Sequence, residues 1–208
     1  REKGDLEETV ETVFQENAAE LSYANPELYR HLKEKTLFQA KQLLQNELEE
    51  AKELQAPLKP TYFEWCFGDG KNPPLELDGI KVGGRIDRID IDPKTGHFLV
   101  LDYKTGSITK FREKRLEGLG LQLPLYILAV RTLLLAGKEP IGGLLISAKT
   151  GDKKTGLADS TYNKIHFQLH KTSRSLLNKN DFEQALSDIA AWVKKYVDSE
   201  YVTNGIEH

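Results

Sequence analysis

Gly84-Arg85-Ile86-Asp87-Arg88-Ile89-Asp90 runs through Ile91 and the turn Asp92-Pro93-Lys94-Thr95-Gly96 into Phe98-Leu99-Val100-Leu101-Asp102-Tyr103-Lys104. Pro and Gly stand where a tight turn uses them. The flanking runs therefore predict an antiparallel hairpin, with strands over 81–91 and 98–103. Phe98 to Leu101 is apolar without a break, as in a central strand buried on both faces. A turn centred between Lys94 and Thr95 sets Asp87 directly across from Asp102, with Cβ atoms roughly 5 Å apart. Side chains alternate along a strand, so Lys104 shares the face of Asp102, and Arg85 lies opposite Lys104. Asp90 and Asp92 read as turn residues. Arg88 points away from Asp87 and reads as structural.

Two carboxylates facing each other at the end of apolar strands repel and are costly to desolvate. A divalent cation offsets both effects. Mg²⁺ takes one or two carboxylates together with water and phosphate oxygens. It can lower the pKa of a bound water and neutralise charge developing on a phosphate. Lys104 is then placed to orient or deprotonate that water, or to steady the phosphate, and the sequence leaves these roles open. The bland alternative is a surface hairpin with a salt bridge from Asp102 to Lys104 or Arg85. Convergence of two acids and an amine on one face of otherwise apolar strands favours the site.

Outward from the hairpin, the chain reads as a single domain over 1–208, with a helical N-terminal part over 1–60 and a core over 61–208. Leu6, Val10, Val13, Phe14 and Leu21 recur at helical spacing over 5–22. Asn25-Pro26 is an N-cap followed by proline at the first helical position. A long amphipathic helix then extends to about Leu54, where Pro57 and Pro60 stop it. Its dense Glu and Lys read as a solvated face. Tyr62–Phe67 is a strand. An apolar helix follows Gly118 and Gly120 and runs to about Leu135. Gly143–Ala148 is a strand, 149–161 a polar mobile loop, and Asn163–Leu169 a strand through Ile165, Phe167 and Leu169. Asn180 with Glu183 marks a capping-box start for the last helix.

The net charge of −3 argues mildly against a freestanding nucleic-acid binder, but it averages an acidic site and a basic track together. The single cysteine, Cys66, excludes an internal disulfide and fits a reducing compartment, so a cytoplasmic protein is expected. One cysteine cannot hold an iron–sulfur cluster by itself, so none is supported. No apolar run approaches a membrane span. The chain opens on Arg1 and holds no methionine, which reads as a piece of a longer protein or a sequence lacking some residues.

The order "GRIDRID", "VLDYKTG", "QLPLY" resembles the RecB-type nuclease domain of the PD-(D/E)XK superfamily, with its nearest likeness in the C-terminal nuclease domains of AddB/RexB-type subunits of bacterial helicase–nucleases. The likeness is carried by residues 62–135. It implies an α/β restriction-endonuclease-like core: a mixed β-sheet flanked by helices, with an N-terminal helical layer. It implies that Asp87 and Asp102 bind Mg²⁺ or Mn²⁺, with the Tyr103 carbonyl as a further ligand and Lys104 as the catalytic lysine. Gln122 and Tyr126 match the family's Q-x-x-x-Y pattern and lie on one helical face; without the family, both read as helix packing. Glu64 is an acidic ligand candidate, evenly balanced against a solvent-exposed role. Many members carry a histidine ligand on an N-terminal helix; here the first helix has none, and His31 comes late and reads as surface. AddB-type domains hold an iron–sulfur cluster through four cysteines, which this chain lacks, and Cys66 reads as a buried thiol.

The implied activity is that of a Mg²⁺-dependent exonuclease acting on DNA, with the single strand as its expected substrate, fed by a helicase partner in double-strand break repair and recombination. Lys110, Arg112, Lys114 and Arg115 read as a phosphate track; Lys153 and Lys154 are balanced between that and a solvated loop. Three rivals stand beside this reading. One is a standalone RecB-like or CRISPR-adaptation exonuclease. Another is a non-catalytic DNA-binding or scaffolding module of the same fold. The third is a protein-interaction domain, which would show an exposed apolar stripe over 26–54.

Overall fold

The computed structural model describes residues 8–17, 25–106, 119–153 and 155–203. It divides into two compact units, one of residues 1–51 with 148–151 and the other of 52–147 with 152–208. The first unit is helical. Helix α1 spans 8–17 and α2 spans Pro26–Glu53. Asn25 caps α2 as its sequence predicts, its Oδ1 accepting from the Leu28 amide at 3.0 Å. Phe14 meets Tyr29 edge-on at 5.8 Å, and Lys33 Nζ lies 2.6 Å from Glu11 Oε2. No residue of α2 is buried, and Leu28, Phe38, Leu44 and Leu48 stand exposed.

The second unit is built on a six-stranded mixed sheet in the order β1-β4-β5-β6-β7-β8. The strands are β1 Lys59–Phe67, β4 Gly84–Ile91, β5 Phe98–Lys104, β6 Pro140–Ser147, β7 Thr155–Asp159 and β8 Leu176–Leu177. A separate two-stranded ribbon, β2 Leu75–Leu77 with β3 Ile80–Val82, precedes β4. Helix α3 spans Gln122–Ala129 and continues as a π-helical turn over Val130–Leu134. Helices α4, Lys179–Ser187, and α5, Ile189–Thr203, follow.

The β4–β5 hairpin has the expected register: Arg88 pairs with Leu101, Ile89 with Val100, and Ile91 with Phe98. β5 is central, antiparallel to β4 and parallel to β6. A parallel neighbour needs a crossover rather than a tight turn, so the chain leaves β5 at Lys104 and returns through α3. This route carries the helix over the sheet. Ile86, Ile89, Phe98, Val100, Leu123, Ile127 and Leu145 form the core between them. Gly143 lets the helix sit low: a Cβ there would meet Ile127 Cδ1 at 3.1 Å and Leu123 Cβ at 3.3 Å.

Several expectations are corrected. The strand predicted over 81–91 is two elements, broken at Gly83, where a Cβ would lie 3.1 Å from the Phe67 carbonyl oxygen. Asp90 is not a turn residue but a buried member of β4. Thr155–Asp159, read as mobile loop, is β7; its small residues Gly156 and Ala158 let it lie close against β6. Asn163–Leu169, read as a strand, is a turn with one isolated bridge, and Lys164 has φ of 66°. The alternation misleads because the Asn163 side chain imitates a neighbouring strand, donating to the Leu169 carbonyl at 3.1 Å and accepting from its amide at 2.9 Å. The last helical segment starts at Asn178, not Asn180: Asn178 Oδ1 accepts from the Asp181 amide. It is broken at Asp188. Cys66 is half-buried rather than buried. No helix of the described residues is long and apolar enough to cross a membrane.

Candidate active site

The open end of the hairpin brings the predicted groups together. Asp102 is buried, 3% exposed, although it is charged. Lys104, two residues on and on the same face, places Nζ 2.6 Å from Asp102 Oδ2. Gln122, the first residue of α3, spans the two. Its Oε1 accepts from Lys104 Nζ at 2.9 Å, and its Nε2 donates to Asp102 Oδ1 at 2.9 Å. The amide can face only one way, because a flip would set its donor against the ammonium and its acceptor against the carboxylate. Nε2 also reaches the Tyr126 hydroxyl oxygen at 3.0 Å. The i, i+4 spacing thus works as predicted, with both side chains on the helical face turned to the sheet.

Asp87 completes the group from β4. Its Oδ2 accepts from the Tyr103 amide at 2.7 Å, which fixes the carboxylate beside the backbone of Asp102 and Tyr103. The Tyr103 side chain goes to the opposite face, where its hydroxyl accepts from Arg88 Nη1 at 3.0 Å. Arg88 is structural, as predicted: Nε and Nη2 grip the two oxygens of Asp90 at 2.6 and 2.7 Å.

Burial, followed by the nearby Asp87 charge, pushes the Asp102 carboxyl above its ordinary value, against the hydrogen bond and charge of Lys104. Asp102 Oδ2 is buried in ionic contact with Lys104 Nζ at 2.6 Å, and Oδ1 accepts from Gln122. Burying a carboxylate in this way carries a desolvation cost that the lysine only partly offsets. Two neighbouring carboxylates are an oxygen-ligand set that a hard divalent cation takes.

Glu64 is less well placed. It lies between Phe63, paired with Arg88, and Trp65, paired with Ile86, so it is level with Asp87. Its carboxylate is engaged by Arg85 Nε at 2.9 Å and is mostly exposed. Its φ of 50° marks an irregularity in β1. His31 is exposed, as read. The basic stretch Lys110, Arg112, Lys114 and Arg115, and Lys154, lie outside the described residues.

Two positioning residues escaped the sequence reading. A Cβ on Gly84 would meet Tyr126 Cε1 at 3.0 Å and Phe67 Cε1 at 3.1 Å, so glycine lets the tyrosine ring sit there without displacement. Gly143 sets the height of the helix that carries Gln122. The paired glycines of "GGRID" were the available signal for the first.

Residues 1–207 match the sequence profile described as the PD-(D/E)XK nuclease superfamily. The chain belongs to this superfamily. Its six-stranded mixed sheet flanked by helices is consistent with the superfamily's restriction-endonuclease-like fold. The chain is also similar to curated proteins named as a subunit, the B component, of an ATP-dependent helicase/deoxyribonuclease. That of Moorella thermoacetica is 37% identical over 103 residues, covering 44% of this chain and 9% of that protein. That of Carboxydothermus hydrogenoformans is 36% identical over 92 residues, covering 41% and 8%. That of Leuconostoc mesenteroides is 34% identical over 107 residues, covering 50% and 9%. The match therefore spans about a tenth of the length of these PD-(D/E)XK relatives.

Proposed function

We propose that the chain is a metal-dependent deoxyribonuclease domain that hydrolyses DNA phosphodiester bonds as an exonuclease. Asp87 and Asp102 would hold Mg²⁺ or Mn²⁺, with the Tyr103 carbonyl as a further ligand. The observation that carries this reading is the convergence of the buried Asp102 carboxylate with Asp87 beside it, braced by Lys104 and Gln122. When bound, the ion supplies Lewis-acid stabilisation of phosphate charge and a more acidic water. The residues supply the rest. Lys104 presents a cation whose position is fixed by two acceptors, so it can steady a phosphate oxygen or an attacking water with little reorganisation. Gln122 ties that cation to the carboxylate. Tyr126 holds the amide of Gln122 at the right height. Glu64, already engaged by Arg85, is the weakest ligand candidate.

The relatives' name supports a wider proposal. The whole protein would be a subunit of a helicase–nuclease in the cytoplasm, with single-stranded DNA delivered by a helicase partner during double-strand break repair and recombination. A second reading draws on one observation, the exposed Leu28, Phe38, Leu44 and Leu48 of α2. At 3.6 residues per turn Leu28 and Leu44 fall on nearly opposite sides of the helix, so these side chains do not make the single apolar stripe that a docking helix would show. A non-catalytic scaffold is disfavoured by the intact Asp87, Asp102, Lys104 and Gln122 set.

The test is digestion of linear single- and double-stranded DNA with Mg²⁺, Mn²⁺ or EDTA by the wild type, Lys104→Ala and Asp102→Ala. Metal-dependent digestion lost in both variants is expected. Digestion in EDTA, or undiminished digestion by both variants, defeats the proposal. Mn²⁺ binding by calorimetry gives a second readout: the Mg²⁺-competable Mn²⁺ site should be lost in Asp87→Asn/Asp102→Asn.

A further inference from the structure

The turn end of the same hairpin carries a second cluster of ligand-type side chains. Asp92 follows β4, His97 precedes β5, and His166 comes from the turn after β7. One ligand-capable atom from each lies within 4.8 Å of the other two. Asp92 and His166 are buried and His97 is half-buried. Asp92 is five residues from Asp87, about 16 Å along a strand, so this is a different place from the acid pair.

The hydrogen-bond partners set which ring nitrogens face each other. His166 Nδ1 lies 2.7 Å from the Ala56 carbonyl oxygen. A carbonyl can only accept, so Nδ1 carries the hydrogen and Nε2 of the neutral ring carries a lone pair. That Nε2 lies 3.4 Å from His97 Nδ1. On its far side, His97 Nε2 faces Glu139 Oε2 at 3.8 Å. Without an ion, His97 Nδ1 donates across this gap to the His166 lone pair; with the His97 hydrogen on Nε2 instead, toward Glu139, both facing nitrogens present lone pairs to an ion. Two nitrogens on one tetrahedral ion at about 2.0–2.1 Å stand about 3.3–3.4 Å apart. A carbonyl or carboxylate behind the ring is also how metal-binding histidines are oriented. Asp92 is held in place too: Oδ1 accepts from the Lys94 amide at 3.0 Å and Oδ2 from the Thr95 hydroxyl at 2.6 Å. Each oxygen keeps a lone-pair site beyond those bonds.

We propose that Asp92, His97 and His166 form a second metal site that takes a transition-series divalent cation of the Zn²⁺ type. Two imidazoles select such an ion over Mg²⁺, which prefers oxygen alone. The ion would tie together the hairpin turn, the segment after β7 and, through the His166–Ala56 bond, the chain entering β1. The inference rests on these residues and does not depend on the nuclease reading.

The experiment uses the metal-stripped 208-residue chain, titrated with Zn²⁺ by calorimetry in millimolar Mg²⁺ and with Co²⁺ by visible absorption. The wild type should bind one equivalent of each, with the intense band of low-coordinate Co²⁺, and Zn²⁺ should raise its Tm. Asp87→Asn/Asp102→Asn should keep this behaviour. His97→Ala should weaken Zn²⁺ binding by at least about 100-fold and lose both the band and the Tm rise. His97 is half-buried, so the variant should fold, and His97→Gln gives a second variant with a polar side chain in place. Three outcomes overturn the proposal: no Zn²⁺ binding by the wild type, unchanged binding in both His97 variants, or loss of binding in the Asp87/Asp102 variant.

Discussion

Two ion pairs with the same one-residue gap sit in the same hairpin on opposite faces of the sheet. Arg88 and Asp90 form a closed pair: two parallel bonds at 2.6 and 2.7 Å, with side chains only 9% and 7% exposed. Asp102 and Lys104 form an open one: a single 2.6 Å contact, an acid 4% exposed and an amine 25% exposed. The fork of arginine matches both oxygens of a carboxylate, whereas lysine is a point charge. The arginine pair is complete and holds the sheet. The lysine pair keeps a point charge at a solvent-reachable edge and is suited to receive something. Spacing alone does not separate structural from chemical pairs; the geometry and exposure of the cation do.

The largest effect should come from breaking the closed pair. Arg88→Ala removes both bonds to the buried Asp90 carboxylate and should cost about 3–5 kcal/mol in urea unfolding. Replacing both partners with apolar residues, as in Arg88→Met/Asp90→Leu, should recover much of that loss. Equal destabilisation by the single and double variants would refute the distinction.

The open pair should show the opposite profile. Lys104→Ala should lower nuclease turnover by about 10²–10³-fold, the scale of a lost electrostatic stabiliser, with a smaller loss of unfolding stability than Arg88→Ala because Gln122 still donates to the buried Asp102. A large stability loss with retained turnover would reverse the roles given to the two pairs.

The hairpin was legible in the sequence because its turn chemistry and apolar runs agree, and the register followed from them. Asp87, Asp102 and Lys104 share a face for that reason alone. Gln122 and Tyr126 became legible only through the family pattern, since helical spacing cannot say which strand a helix crosses. Asp90 was misread because proximity to a turn does not reveal a partner two residues back. Asn163–Leu169 was misread because a side chain imitating a strand leaves the same alternation as a strand. Thr155–Asp159 was missed because close packing against β6 favours small residues, which resemble a loop.

Metal should sharpen the contrast further. Saturating Mn²⁺, at about 100 times its Kd, should stabilise the wild type by about 2.7 kcal/mol, or several degrees in Tm. Asp102→Asn should lose that rise and Arg88→Ala should keep it, as a thermal melt would show.

A third pair sets the lower bound. Lys179 Nζ lies 2.7 Å from Glu139 Oε1, with side chains 58% and 36% exposed. The lysine hydrogen bond holds the Glu139 carboxyl below its ordinary value. Its contribution is therefore present at neutral pH and lost as pH falls through the folded-state value. Lys179→Ala should change stability by less than about 1 kcal/mol. A larger change in urea unfolding would mean that exposure is a poor guide among these pairs.

Gly84 and Gly143 have a consequence beyond packing. They are the two seats on which α3 and its tyrosine rest, and each is defined by a missing methyl. Adding one makes the facing ring or helix give by a few tenths of an ångström, and the glutamine between acid and amine rides on that same helix. The interior of the molecule thus serves as a gauge block for its chemistry, and a change there should register in melting and in turnover alike.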